Sequence, residues 1–171
     1  RAMDANRLAT AGEQWVSIFE QHNTGTYNNM WLAVDYKRFV PHEPIIDQSG
    51  VLWVAEQMPG RVESHDESLR LSFGLFPSYN QAYFPGTRVY SGAHKNDLDW
   101  RRNYGVTSMS YQLNNRAFLF REYGNLAQTL DGAKKLLRWN KFETDPVTVH
   151  NPDLYTMNTP ATTGSLAARG D

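Results

Sequence analysis

The sequence predicts an α+β chain, and three observations carry that expectation. An apolar stripe at helical spacing stands near the start. Two runs rich in aromatic and branched residues follow it, and a second helical stripe lies beyond residue 120. Periods of 3.6 and 2 thus occur in one chain, which is what a mixed architecture requires.

The first stripe lies in 13–21, where Trp15, Ile18 and Phe19 fall at i, i+3 and i+4. A polar run from His22 to Asn29 ends it, with Gly25 and asparagines suited to turn or left-handed backbone. Residues 31–39 read as a strand, with Leu32, Val34 and Tyr36 on one face and Ala33, Asp35 and Lys37 on the other. Pro41 and Pro44 close it. Residues 51–58 form a second strand, stopped by Pro59-Gly60. The two suggest an antiparallel pair joined by a loop of about ten residues, longer than a usual hairpin connection.

Residues 61–110 show no sustained period, so short elements and loops are expected, centred on Pro77-Ser78-Tyr79-Asn80 and Ser91-Gly92. Residues 116–121 (Arg-Ala-Phe-Leu-Phe-Arg) read as a short strand. Leu126, Leu130, Ala133 and Leu137 predict a helix over 125–139, with Asn125 as its N-cap. From Asp145 the chain turns polar and rich in Thr, Pro and Asn, and 145–171 is expected to be a loop-rich tail. No internal repeat or domain linker is evident.

Composition narrows the function classes. The chain has 171 residues, 40% hydrophobic and 13% aromatic, too apolar for a disordered polypeptide. Seventeen basic residues face eighteen acidic ones, so charge gives no reason to expect nucleic acid or an anionic membrane as partner. No apolar run approaches the ~18 residues of a membrane span. Cysteine is absent, which removes disulfides, thiolate metal sites and a Cys nucleophile from these residues. The chain opens at Arg1 and ends at Arg169-Gly170-Asp171; both ends read as products of processing, and the final tripeptide as a chance match to an integrin motif.

Known catalytic signatures are missing: no Gly-x-Ser-x-Gly elbow, phosphate loop, dinucleotide glycine pattern or His-Glu-x-x-His. His22, His42, His65, His94 and His150 are scattered and read as surface histidines. No Asn-x-Ser/Thr site has a permitted middle residue and context; Asn158-Thr159-Pro160 fails as well.

The segment Asn23-Thr24-Gly25-Thr26-Tyr27-Asn28-Asn29 carries the chemistry. Short amides and hydroxyls at a strand entrance can form an oxyanion site, which needs fixed donors without net charge. They equally suit a polar helix-to-strand turn that supplies unusual backbone angles. The same segment, continued through Val34-Asp35-Tyr36-Lys37, resembles the signature of the phospholipase B-like family, the lamina ancestor homologues. The resemblance continues in order through Leu52-Trp53-Val54-Ala55-Glu56-Gln57-Met58-Pro59-Gly60, Pro77-Ser78-Tyr79-Asn80 and Asn115-Arg116-Ala117 with Phe120-Arg121. It extends to Leu137-Arg138-Trp139-Asn140-Lys141-Phe142, Asp145-Pro146 and the terminal Arg169-Gly170-Asp171.

That resemblance implies an N-terminal nucleophile hydrolase: a four-layer αββα sandwich of which these residues are one partial domain. It implies a precursor that cleaves itself to expose an N-terminal Cys, here upstream of Arg1, whose thiol attacks an acyl carbonyl while the α-amine serves as base. The implied substrates are acyl esters or amides of phospholipids or related lipids, and the implied location is lysosomal or secreted. The implied partners are the remaining portion of the same precursor and the lipid, with a homodimer as an open option and no cofactor. By the same carry-over, Asn23 is the oxyanion amide and Arg116 orients the nucleophile or a substrate carbonyl. A structural salt bridge explains Arg116 nearly as well. Thr24, Thr26 and Asn28 line the pocket; Ser78, Tyr79 and Asn80 either join them or make a tight turn. Trp31, Trp53, Trp139 and Phe142 are expected in the core.

The departures suggest a divergent member. Val147-Thr148-Val149-His150 stands where the family carries cysteines, and Met30 and Met58 replace residues more usual in animal members. A non-catalytic lipid-binding or structural protein on the same scaffold is the competing expectation. Residues 1–171 alone are expected not to fold stably.

Overall fold

The computed structural model describes residues 2–105, 107, 109–141 and 144–146. The architecture is α+β: helices with a three-stranded antiparallel sheet. Phe142 and the tail from 147 onward, including Arg169-Gly170-Asp171, lie outside the described residues. The chain divides into two compact units, one of residues 1–76 and 82–91 and the other of 77–81 and 92–171.

The first unit is built on the sheet. Helix α1 (Ala2–Leu8) leads into α2 (Gly12–Glu20), then β1 (Asn29–Val34), β2 (Leu52–Met58) and β3 (Arg61–Asp66), in spatial order β1-β2-β3. The α2 stripe is as the sequence predicts. Val16 and Phe19 are buried, Trp15 stacks on Phe19 at 5.1 Å, and both rings meet Trp31 of β1. Trp31 and Ala33 therefore face α2, while Met30, Leu32 and Val34 face the opposite side with Leu52 and Val54. There Phe84 seals Leu52 and Val54, with Met30, Leu71, Phe76 and Tyr83 around them. Phe84 precedes the short helix α3 (Pro85–Tyr90).

β2 is as expected, but β1 is shorter than 31–39. It stops at Val34 because Asp35 turns the chain, its Oδ1 accepting from the Lys37 N–H at 3.0 Å. Tyr36 therefore lies outside the strand, and the β1–β2 connection runs from 35 to 51 rather than about ten residues. β3 falls in the stretch 61–110 that shows no sustained period. Its Arg-Val-Glu-Ser-His-Asp carries one aliphatic residue, and pairing with β2 from Met58↔Arg61 to Trp53↔Asp66 makes it a strand.

The second unit is helical: α4 (Ala93–Tyr104), α5 (Asn115–Tyr123), a 3-10 helix at Gly124–Gln128 and α6 (Leu130–Leu137). Residues 116–121 are helix, not strand. A short apolar run is ambiguous between the two, and the cap decides. Asn114 Oδ1 accepts the Ala117 N–H at 3.0 Å, while its Nδ2 donates to the Ser110 and Tyr111 carbonyls at 2.7 and 3.0 Å. The helix placed at 125–139 is interrupted. Thr129, not Asn125, caps α6 by accepting the Gly132 N–H. Leu136 is buried, whereas Leu130 and Leu137 of the predicted stripe are exposed. The preceding 3-10 segment shifts the phase.

Candidate functional site

The polar segment between α2 and β1 is fixed by Asn23. Its Nδ2 donates to the carbonyls of Met58 (2.8 Å) and Arg61 (3.2 Å), bracketing the β2–β3 turn. Its Oδ1 accepts from the Gly25 N–H (3.0 Å) and from Gln57 Nε2 (2.7 Å). Gln57 Oε1 in turn accepts from Trp31 Nε1 at 3.1 Å. A relay of amides thus ties α2's exit, β1 and the hairpin together, using both hydrogens of the Asn23 amide. Gly25 sits at φ +63 against Pro59, where a Cβ would strike backbone; no other residue meets both demands. This anchoring leaves Thr24, Thr26 and Asn28 as exposed side chains on a pinned loop.

A second polar group lies within the same unit and was not singled out from sequence. Glu56 stands on β2 beside Leu52 and Val54, 4% exposed. Its two oxygens accept the backbone N–H groups of Tyr83 (2.6 Å) and Phe84 (2.9 Å). Burial holds this carboxyl above the ordinary glutamate value of 4.5; the backbone N–H bonds oppose that rise, and neighbouring Glu63 adds to it. Glu63 accepts from the Thr87 hydroxyl at 2.8 Å and lies 3.5 Å from Arg61. Burial, and then the bond its hydroxyl donates to Glu67 (2.9 Å), push Tyr83 up to about 12, so it is a neutral donor rather than a base. The available signal was a lone acid at an inward position of an apolar strand.

In the second unit the structure brings Arg116 together with Tyr79 and Asn80. Arg116 Nη1 donates to Asn80 Oδ1 at 2.8 Å and to the Tyr79 carbonyl at 3.3 Å. Asn80 is left-handed at φ 58, so the guanidinium clamps a turn. Tyr79 is buried, its hydroxyl donating to the Tyr111 carbonyl at 2.7 Å and its ring stacked on Phe120. Ser78 is exposed. Farther along, the Tyr123 hydroxyl donates to Asp145 Oδ2 at 2.7 Å, and Trp139 stacks on the Tyr123 ring at 4.5 Å. Of the aromatic residues expected in the core, Trp31, Trp53 and Trp139 are half-buried.

Among the described residues no group of three or more His, Cys, Asp or Glu is placed to hold a metal. Within them, no helix is long and apolar enough to cross a membrane.

An α+β chain with its polar signature pinned at a strand entrance is the class that fold and site define. Comparison with known proteins narrows it. The phospholipase B family profile matches residues 1–171. Phospholipase B-like protein D of Dictyostelium discoideum is 36% identical over 147 residues, covering 86% of this chain and 26% of that protein. Phospholipase B-like protein B of the same organism is 38% identical, covering 86% and 24%. Phospholipase-B 81 of Drysdalia coronoides is 33% identical over 172 residues, covering 96% and 30%. The chain belongs to the phospholipase B family. It spans about a quarter of the length of these relatives.

Proposed function

We propose that the polypeptide containing residues 1–171 hydrolyses acyl ester or amide bonds of phospholipids or related lipids. The observation carrying this is the family match over 1–171, with relatives named phospholipase B-like. In this reading a Cys outside these residues, exposed by self-cleavage, attacks the acyl carbonyl through its thiolate. The alcohol or amine leaves with a proton, and water then cleaves the thioester, releasing the fatty acid and restoring the thiol. The sheet and helices would form part of a four-layer αββα sandwich, one partial domain completed by the rest of the precursor. The protein would act in a lysosome or outside the cell.

Asn23 is the proposed oxyanion amide. Both its hydrogens are engaged, and the longer bond, to the Arg61 carbonyl at 3.2 Å, is the one that would yield to a developing oxyanion. Thr24, Thr26 and Asn28 line the same pinned loop. Arg116 is the proposed orienting charge, acting with Ser78, Tyr79 and Asn80. A second reading has an observation in its favour. Asn23 and Arg116 each make bonds that a purely structural role would explain, as in a non-catalytic lipid-binding protein on the same scaffold.

The deciding experiment is N-terminal sequencing and intact mass of the full-length protein, followed by fatty-acid release from a phospholipid. A new N-terminal Cys whose change to Ser abolishes release supports hydrolysis. A junction without Cys, and lipid retained without turnover, supports binding. If hydrolysis holds, Asn23→Ala lowers kcat by about 10²–10³-fold when Asn23 is the donor. A fall in melting temperature with kcat of the folded fraction unchanged would make it a structural staple.

A further inference from the structure

Among the described residues the outer edge of β1 is open, and its geometry defines what would fit. The Asp35 N–H donates to the Val51 carbonyl at 2.8 Å, and the register pairs Val34 with Leu52 and Ala33 with Trp53. In an antiparallel ladder residues alternate, so 29, 31, 33 and 35 bond to β2, while the N–H and C=O of Met30, Leu32 and Val34 point away from it. Natural edge strands are blunted by charge, proline or bulges. The sequence Asn-Met-Trp-Leu-Ala-Val carries neither charge nor proline.

Beside this edge runs an open groove of about 430 Å³. Small residues such as Ala2, Ala9 and Ala11 and the rings of Trp15 and Trp31 line its middle, while Asn6 and Thr10 and, past the end of β1, Asp35 and Lys37 make parts of its wall polar. Small residues where α1 passes the strand leave room that larger ones would fill. Across the sheet, the cover over Leu52 and Val54 reaches Met30 but not the rest of that face of β1: those two are at most 1% exposed, whereas Leu32 is 44% and Val34 50% exposed. Both faces beside the edge and the edge itself are thus shaped for one more strand.

We propose that an extended segment of the same polypeptide, from outside residues 1–171, pairs with the β1 edge and sets alternate side chains into the groove. The relatives carry about three quarters of their length beyond the matched region, so chain for this role exists in the family. A single strand needs about 5 Å of width. A second copy pairing edge to edge would bring its own α1 to the same joint. The segment should alternate, small or apolar residues facing Trp15 and Trp31 and apolar residues beside Leu32 and Val34. This inference rests on the reading that the rest of the precursor completes the domain, and it stands or falls without the hydrolytic chemistry.

Residue-resolved hydrogen exchange on the full-length protein, combined with photo-crosslinking from Thr10→p-benzoylphenylalanine in the groove wall, tests it. The expected result is exchange at the Leu32 and Val34 amides slowed about 100-fold or more below the open-amide rate. The cross-link should reach a peptide of the same molecule outside 1–171. Open-rate exchange at both amides overturns the proposal. So does protection accompanied by a cross-link to a second copy or to a peptide within 1–171.

Discussion

A carboxylate enclosed by Leu52, Val54 and Phe84 must be compensated by fixed donors, and Glu56 finds them in two backbone N–H groups. Their location matters more than their number, because they precede α3 and so join the 82–91 segment to the sheet. Compensation is incomplete: burial keeps the folded-state pKa above the ordinary 4.5. The sign follows. Glu56 contributes stability that is fully present below the unfolded value and is lost as pH rises through the folded value. Asp35 acts oppositely. The bond from Lys37, set against burial, holds its carboxyl below the usual 3.8, so its contribution is present above that value and lost as pH falls through the folded one. In the full-length protein, Glu56→Gln should flatten the decline in melting temperature just above pH 4.5. It should also lower the melting temperature at every pH, because the amide offers one acceptor and turns N–H groups toward a second N–H; the cost is about 1–3 kcal/mol. A wild-type slope retained in the variant would move the titration elsewhere.

The elements show which parts of the fold a sequence displays. α2 was legible because Trp15, Ile18 and Phe19 share one face, and β2 because Pro59-Gly60 ends an apolar run. α4 was not, since it carries no apolar stripe and buries Asp97, which Arg101 holds at 2.8 and 3.0 Å. α5 reads as a strand in sequence because the deciding group, Asn114, precedes the apolar run. The Asn23 segment was visible as a polar cluster, but its partners Gln57, Met58 and Arg61 are more than thirty residues away, so the relay was hidden. The proximity of Arg116 to Tyr79 and Asn80 was hidden for the same reason. Two substitutions test the capping argument. Asn114→Ala removes a cap and takes a donor from two carbonyls, of which that of Tyr111 keeps the Tyr79 hydroxyl, for a cost of about 2 kcal/mol, whereas Asn114→Asp keeps the acceptor and should cost about half that. Gly132→Ala should destabilise α6, because its Cβ would strike the Leu126 carbonyl, which is backbone and cannot swing aside. Urea unfolding of full-length variants measures all three; equal losses for the Ala and Asp forms at 114 would reject the cap.

At the scale of the whole molecule, the question is whether these residues could stand alone. A folded surface is ordinarily more than half apolar, so single exposed side chains mean little. Here they group: Leu32 and Val34 sit side by side on one face of an edge strand, and Leu69 and Phe73 are exposed on one 3-10 helix. Among the described residues the buried apolar side chains, such as Val16, Phe19, Leu52, Val54 and Phe84 in one unit and Leu119 and Leu136 in the other, are few beside the conformational entropy of ordering more than a hundred residues, each costing roughly 1–2 kcal/mol. The relatives are about four times as long, so chain exists to cover these groups. Residues 1–171 expressed as a separate polypeptide should therefore melt broadly, bind an apolar-surface dye and form oligomers. Co-expression with the remainder of the protein should restore a sharp transition and remove dye binding. A soluble monomer unfolding in one cooperative step would show that the two units carry sufficient core themselves, and that the β1 edge needs no strand from outside residues 1–171.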